Sequence, residues 1–231
     1  MESKLYFLAS PSTILPGCIY GQSYTVAMPR AKWSGRSEFV TVRCPVDDKN
    51  HRRAQGRRGQ LDVVIPSWPT SDLSWTVYSE CLLSRRALDL FRDANLSGFE
   101  APPVGIVDIE HGGVSGTPEL WELKVTGSCG PEIQRPGRWY EKPCKGCGSR
   151  TRHSAVDGVF IDRKNWDGSD FSRCSDYPHS LAVISERAKD VIVGHRLKYC
   201  VIYPVEELPM DGSKSMYAIS HPSEKTIHEI G

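Results

Sequence analysis

The chain has 231 residues and a formal net charge of +1, and 39% of its residues are hydrophobic and 25% charged. This composition is typical of a soluble globular protein, and the small net charge gives no field that would draw the chain to nucleic acid or to a membrane surface. No apolar run is long enough for a transmembrane helix, and Leu5–Ala9 is too short for the core of a secretory signal. We therefore expect a cytoplasmic protein without a membrane partner.

The first 70 residues are rich in strand and turn signals. Strands are predicted at Leu5–Leu8, Glu38–Arg43 and Leu61–Pro66, each closed by proline or by polar residues. The basic segment 49–60 has no interleaved aromatic residues, which favours a surface loop over a phosphate-binding patch. Residues 1–70 are thus predicted to be a β-rich amino-terminal region.

A pattern of serine, aspartate and arginine occurs twice in the rest of the chain. Ser71-Asp72-Leu73-Ser74 is echoed by Ser169-Asp170-Phe171-Ser172, and Ser84-Arg85-Arg86-Ala87 is echoed by Ser185-Glu186-Arg187-Ala188. The serine before each apolar-periodic run is suited to cap a helix. Each predicted helix leads into a predicted strand, at Phe99–Val107 and at Lys198–Val205.

The repetition predicts an α+β fold with two related strand–helix–strand lobes, antiparallel sheet and a small zinc-knuckle-like insertion. The lobes occupy the predicted α+β region 71–210, and 211–231 is predicted to be a polar tail. Between the two copies, Glu119–Gly127 alternates like a half-exposed strand, and residues 158–162 are predicted to form a short strand. Asp167 and Asp170 are predicted to form turns and caps.

The most specific chemical signal is the sequence Cys144-Lys145-Gly146-Cys147-Gly148. Two thiolates separated by two residues can reach one tetrahedral Zn²⁺ ion, and the glycine allows backbone N–H groups to turn toward sulfur. This CxxCG sequence, which we call the second knuckle, supplies half of a four-ligand site. A thioredoxin-like redox role is disfavoured because no apolar-periodic helix follows it.

Several segments resemble the bacterial double-CXXCG motif protein family, some members of which are associated with immunity against contact-delivered polymorphic toxins. The resemblance covers roughly Leu5 to Leu208, and its specific segments are ELWELKVTG, the second knuckle, IDRKNWDGSDFSR, and ISERAKDVI followed by VIYPVEEL. In that family a first CxxCG lies in the amino-terminal third. The matching segment here is Cys44-Pro45-Val46-Asp47-Asp48, which we call the first knuckle; aspartates replace its second cysteine and its glycine.

The departure from the family pattern leaves three outcomes for the metal, and the first is a mixed zinc site made of Cys44, Asp47, Cys144 and Cys147, since a carboxylate is an acceptable zinc ligand. Two alternatives remain open. In the first, His153, Cys174 or His179 replaces the missing ligand. In the second, no metal binds, and Cys144 and Cys147 are buried thiols or a disulfide. Of the eight cysteines, Cys81 and Cys200 are predicted to be core thiols, while Cys18 and Cys129 are expected at the surface or partly buried.

Catalytic signatures are absent from the sequence: it contains no G-x-S-x-G, no H-E-x-x-H and no phosphate loop. Asp108, Glu110 and His111 cluster after a predicted strand, and we interpret them as a solvated strand end. We therefore expect no enzyme activity and no small-molecule substrate.

Two functions from different classes follow. The family resemblance implies a cytoplasmic immunity protein that binds and neutralises a cognate protein toxin, with Trp68, Trp75, Trp139 and Tyr140 as candidate contact residues. The alternative is a zinc-knuckle nucleic-acid-binding protein. That protein would use Lys142, Lys145, Arg150, Arg152 and the segment Arg52–Arg58. The near-zero net charge counts against it.

Overall fold

The computed structural model describes residues 4–10, 32–33, 38–40, 44–46, 56–65, 69, 71–76, 80–110, 116–133, 138–140, 145–146, 152–154, 158–174, 182–207 and 218–219. Its helices are α1 (Arg85–Asp93) and α2 (Glu186–Gly194). The strands of the amino-terminal part are β1 (Leu5–Ala9), β2 (Lys32–Trp33), β3 (Glu38–Val40), β4 (Gly56–Arg58), β5 (Asp62–Ile65), β6 (Leu73–Trp75), β7 (Cys81–Leu83), β8 (Phe99–Glu100) and β9 (Gly105–Ile109). The later strands are β10 (Trp121–Glu122), β11 (Lys124–Val125), β12 (Gly127–Gly130), β13 (Arg138–Tyr140), β14 (Arg152–Ser154), β15 (Phe171–Cys174), β16 (Ala182–Ser185), β17 (Cys200–Pro204) and β18 (Ala218–Ile219).

The largest sheet has the strand order β12-β15-β16-β1-β17-β18, in which only β12 and β15 run parallel. Its central strand is β1, and Tyr6 lies opposite both Ile184 and Pro204. A second antiparallel sheet has the order β10-β7-β6, and β11 pairs with β8. In a third sheet β5 lies between β2 and β9. The described helices and predominantly antiparallel strands confirm the predicted α+β class.

Both helices begin as the serine pattern predicts. The Ser84 hydroxyl accepts a hydrogen bond from the Ala87 N–H at 3.1 Å, and the Ser185 hydroxyl accepts one from Ala188 at the same distance. A cap of this kind contributes about 1 kcal/mol because it satisfies an N–H that lacks a helical partner. Neither of the described helices has the length and apolar character needed to cross a membrane.

Three apolar clusters hold the strands and helices together. The central core contains buried residues from both helices and from strands of both predicted lobes, including Phe91, Phe171, Ile184 and Ile192. One outer core lies against β1 and contains Leu5, Phe7, Cys129, Cys174 and Val183, with other residues. The other outer core contains Leu61, Val63, Ile65, Leu82, Val104 and Leu120. The two lobes therefore share the central core, and each outer core also joins residues that are distant in the sequence.

Some predicted strand boundaries are wrong. The strand predicted at Phe99–Val107 is divided into β8 and β9, because Pro102 and Pro103 lie between them and proline lacks the N–H needed for a regular ladder. Residues 158–162 form no strand, and Ile161 makes a single bridge to Glu132.

Two further differences concern single elements. Within the basic segment, Gly56–Arg58 pairs with β3 as a strand rather than remaining a loop. The strand predicted at Glu119–Gly127 is interrupted at Leu123, so that β10 pairs with β7 and β11 with β8.

Candidate functional site

The first knuckle begins at a buried thiol. Cys44 is 2% exposed, and its sulfur accepts a hydrogen bond from the Val46 N–H at 3.4 Å. A backbone N–H directed at sulfur stabilises the thiolate, which is the form that binds a metal. Pro45 and Val46 are exposed, and Val46 has 69% of its surface in solvent. The local geometry at Cys44 therefore fits a thiolate ligand at the base of a short turn.

The turn of the second knuckle lies against the first. Lys145 and Gly146 are exposed and form a turn. A Cβ atom placed on Gly146 would lie 2.8 Å from Val46 Cγ2 and 3.0 Å from Pro45 Cγ. The segments that carry the predicted ligands are thus neighbours, although they are about 100 residues apart in the sequence. Asp47, Cys144 and Cys147 themselves lie outside the described residues.

Of the three alternative metal ligands, only Cys174 has a described side chain, and that side chain lies in an outer core. Cys174 is buried in the outer core beside Cys129, and the two thiols are hydrogen-bonded to each other. His153 belongs to β14, opposite Trp139 of β13, and His179 is not among the described residues. Within the ranges given above, no three His, Cys, Asp or Glu side chains are arranged to hold a metal ion.

The remaining described cysteines are core residues. Cys81 and Cys200 are buried, as predicted, whereas the expectation of surface or partial burial for Cys129 is wrong. Burial raises the pKa of Cys81 and raises the pKa of Cys200 to about 12. A hydrogen bond with Cys174, together with burial, raises the pKa of Cys129. These three groups stay protonated at neutral pH and are poor nucleophiles and metal ligands.

A buried aspartate forms the most highly connected polar site of the described chain. Asp170 is 4% exposed and accepts hydrogen bonds from the Ser97 N–H at 2.8 Å and the Ser185 hydroxyl at 2.7 Å. It also accepts the Ser97 hydroxyl at 3.0 Å and makes an ion pair with Arg187. Sequence reasoning predicted a cap at Asp170 but missed its pairing with Arg187. The repetition of Asp and Arg in both copies was the signal that could have revealed it.

Asp72 occupies the matching place in the other copy. It accepts Arg86 Nη1 at 2.8 Å and the Lys198 N–H at 3.1 Å. Arg86 also donates to the His195 carbonyl at 2.7 Å, as Arg187 does to the Asn95 carbonyl at 2.9 Å. Each Asp–Arg pair therefore binds backbone groups of the loop that follows the opposite helix.

Electrostatics favours the ionised form of these carboxyl groups. Burial opposes ionisation of Asp170, but the hydrogen bonds from Arg187, Ser185 and Ser97 outweigh it and hold the pKa at about 2. Desolvation likewise opposes ionisation of Asp167, and bonds from the N–H groups of Ser169 and Ser128 lower its pKa. Carboxylates already occupied by donors at neutral pH serve structure, because a general base needs a free oxygen and a pKa near the working pH.

The other acidic candidates face solvent. Asp108 accepts the N–H of its neighbour Ile109 at 2.8 Å, and Glu110 pairs with Lys32 at 2.7 Å. A shallow groove of about 640 Å³ runs along α2, between Glu186 and His195, and is open to solvent. Its acidic and basic groups lie on one helix face and do not converge on a point where a substrate could react.

Of the four aromatic residues proposed to contact a partner, only Trp75 has a described side chain. Trp75 is 6% exposed in the central core, and its indole N–H donates to the Tyr199 carbonyl at 2.7 Å. The prediction that Trp75 is available to a partner is therefore wrong. The side chains of Trp68, Trp139 and Tyr140 lie outside what the structure describes.

No protein-family model and no curated protein matches the chain.

Proposed function

We propose that the chain is an immunity protein that binds a cognate bacterial toxin in the cytoplasm and neutralises it in a stoichiometric complex. The observation that supports this proposal is that the segments behind the family resemblance build the scaffold. Phe171 and Ile192 from these segments are fully buried, Ser185 caps α2, and Asp170 joins the helix to the opposite loop. Because these segments are used to build the fold, a partner would be recognised by other side chains, which lie at the surface.

The chemistry of the described residues agrees with binding rather than catalysis. The buried carboxylates Asp72 and Asp170 are held by arginine and backbone donors. The buried thiols have raised pKa values at Cys81, Cys129 and Cys200 and are poor nucleophiles. Toxin binding needs none of these groups to react, because inhibition by a tight complex needs only a complementary surface.

We further propose that a zinc ion, when bound, is held by Cys44, Asp47, Cys144 and Cys147. The Val46 N–H directed at the Cys44 sulfur and the contact of Gly146 with the first knuckle support this assignment. Three thiols and a carboxylate are a donor set that suits Zn²⁺. The metal would act as a structural link between two segments that are distant in sequence.

The binding proposal is tested first by capture. A tagged chain is used to retain its partner from a lysate of the native host, washed at high salt and identified by mass spectrometry. We expect one protein with a toxin domain, and expression of that protein without this chain should stop growth. Capture of nucleic acid that is released steeply by salt would favour the alternative function and contradict this one.

A second test uses the host itself. A strain that lacks the gene for this chain should lose viability when it is grown in contact with its parent, and a plasmid copy of the gene should restore it. The exposed variant Asp108→Asn is a suitable control and should restore viability as well as the original chain does, because among the described residues its side chain bonds only to its neighbour's N–H. Equal survival of the deleted strain with and without the plasmid would contradict the proposal.

A further inference from the structure

The two halves of the chain share a series of four elements: a first strand, a hairpin, a helix and a strand after the helix. In the first half β1 is followed, later in the chain, by the β6–β7 hairpin, α1 and β8. In the second half β10 and β11 are followed by the β15–β16 hairpin, α2 and β17. The first strand of each half is separated from its hairpin by a knuckle sequence, at Cys44 and at Cys144–Cys147. The likeness thus extends beyond the repeated serine pattern to the order of the first strand, the hairpin, the helix and the strand that follows it.

The first strands are exchanged between the halves. Tyr6 of β1 lies opposite Ile184 and Pro204, which both belong to the second half. Trp121 of β10 lies opposite Leu83 and Pro103, which both belong to the first half. The paired residues occupy matching positions in the two copies. Each first strand therefore fills the same place in a sheet, but in the sheet of the opposite half.

The loops after the helices are exchanged in the same way. Asn95 and Arg196 occupy matching positions and both have positive φ, at 50° and 51°. The Phe171 N–H donates to the Ser97 carbonyl at 3.0 Å, and the Leu73 N–H donates to the Lys198 carbonyl at 3.2 Å. The Asp–Arg pairs described above bind the same two loops. Every one of these contacts joins one half to the other.

The apolar clusters also join the two halves. The two outer cores contain residues from matching positions: Leu5 and Leu120, Val183 and Leu82, Val205 and Val104. The outer core of the second half includes Leu5 and Phe7 of β1, and the outer core of the first half includes Leu120, the residue before β10. The central core contains both helices, so that neither half encloses it alone.

We infer that the chain consists of two similar halves, residues 4–110 and 116–207, which are joined covalently. Each half has a surface that binds the other half, and the partner that this surface fits is a half of the same architecture. The surface is the gap between β7 and β8, or between β16 and β17, which a strand of the partner half fills. Because a missing central strand leaves two rows of backbone N–H and C=O groups without partners, neither half is complete by itself.

The test cuts the folded full chain between the halves. A protease recognition sequence is inserted within residues 111–115, and cysteines replace Glu100 and Lys124. Glu100 in β8 lies opposite Lys124 in β11, and the two side chains are 59% and 50% exposed, respectively. After oxidation and cleavage, the two fragments should migrate as one species under denaturing conditions and separate only on reduction. Both proteins also carry Cys44→Ser, so that the native thiols of the two knuckles cannot join the fragments. The matched control then carries Lys124→Cys without the change at Glu100 and should give two fragments in both cases.

The exchange is overturned if the cut protein separates into two folded fragments in native buffer, or if the double variant forms no cross-link between fragments. A second measurement uses the full chain without an insertion. Phe7 is fully buried in the outer core with Cys174 and Val183 of the second half. Phe7→Leu should speed hydrogen exchange in β15 and β16 and leave β6 and β7 unchanged. Faster exchange confined to the first half would also overturn the inference.

Discussion

Replacing Asp170 by asparagine should destabilise the protein strongly and in a pH-dependent way. The pKa falls from an ordinary 3.8 to about 2 in the folded chain. A difference of roughly two pKa units corresponds to about 2.5 kcal/mol of stabilisation at neutral pH. Breaking a buried pair costs about 3–5 kcal/mol, but Arg187 can regain water because its side chain is 55% exposed. We therefore expect Asp170→Asn to lose about 3 kcal/mol at pH 7, near the lower end of that range.

The pH dependence follows from the sign of the shift. Since the folded pKa lies below the unfolded one, the stabilisation is fully present above pH 3.8 and is lost as the pH falls toward 2. The difference between the original protein and Asp170→Asn should therefore shrink by about 1 kcal/mol between pH 6 and pH 3. Urea unfolding, followed by tryptophan fluorescence at a series of pH values, measures this difference in the free energy of unfolding.

The matched control is Asp108→Asn, an exposed aspartate that bonds only to its neighbour's N–H in the described contacts. Its free energy of unfolding should stay within about 0.5 kcal/mol of the original. The reasoning is refuted if Asp170→Asn behaves like this control, or if its loss is the same at pH 6 and pH 3. Either result would mean that the ionised carboxylate does not hold the opposite loop.

Three further outcomes are expected. Gly98 and Gly168 share a φ of 83°, but a Cβ on Gly98 would overlap the Phe171 carbonyl, whereas a Cβ on Gly168 would have no neighbour within 4 Å. In urea unfolding, the free energy of unfolding should fall by about 3 kcal/mol for Gly98→Ala and by about 1 kcal/mol for Gly168→Ala. Equal losses would contradict the close approach. Alkylation followed by mass spectrometry should leave Cys129 and Cys200 unlabelled until the protein unfolds, and native labelling would contradict their burial. Elemental analysis should find about one zinc ion per chain, with Cys44→Ser losing most of it; an equal content in both would contradict the ligand assignment.

Local signals in the sequence were sufficient to predict the helices. Ser84 and Ser185 stand before apolar-periodic runs, and both cap helices by accepting the expected N–H groups. The α+β class follows from the same local patterns. The repeated pattern also indicated two related units, because it preserved the spacing of capping serines, arginines and core residues.

What the sequence did not reveal is how distant segments pair. β1 pairs with β16 and β17 near the other end of the chain, and β10 and β11 pair with β7 and β8 across the helix α1. No local signal specifies these partners. Cys129 stands among glycine and proline and was expected at least partly in solvent, but parallel pairing of β12 with β15 buries it. The contact between the knuckles is equally non-local, since Gly146 meets Pro45 only in the folded chain.

The measurement that tests the proposed function most directly is a titration of the captured toxin with the purified chain. Toxin activity is measured as the chain is added in increasing amounts, at a toxin concentration well above the dissociation constant. Stoichiometric neutralisation predicts a linear fall that reaches zero when the two proteins are equimolar. Loss of all activity at a small fraction of that amount would indicate an enzyme, and undiminished activity at excess would show that this chain does not neutralise the toxin.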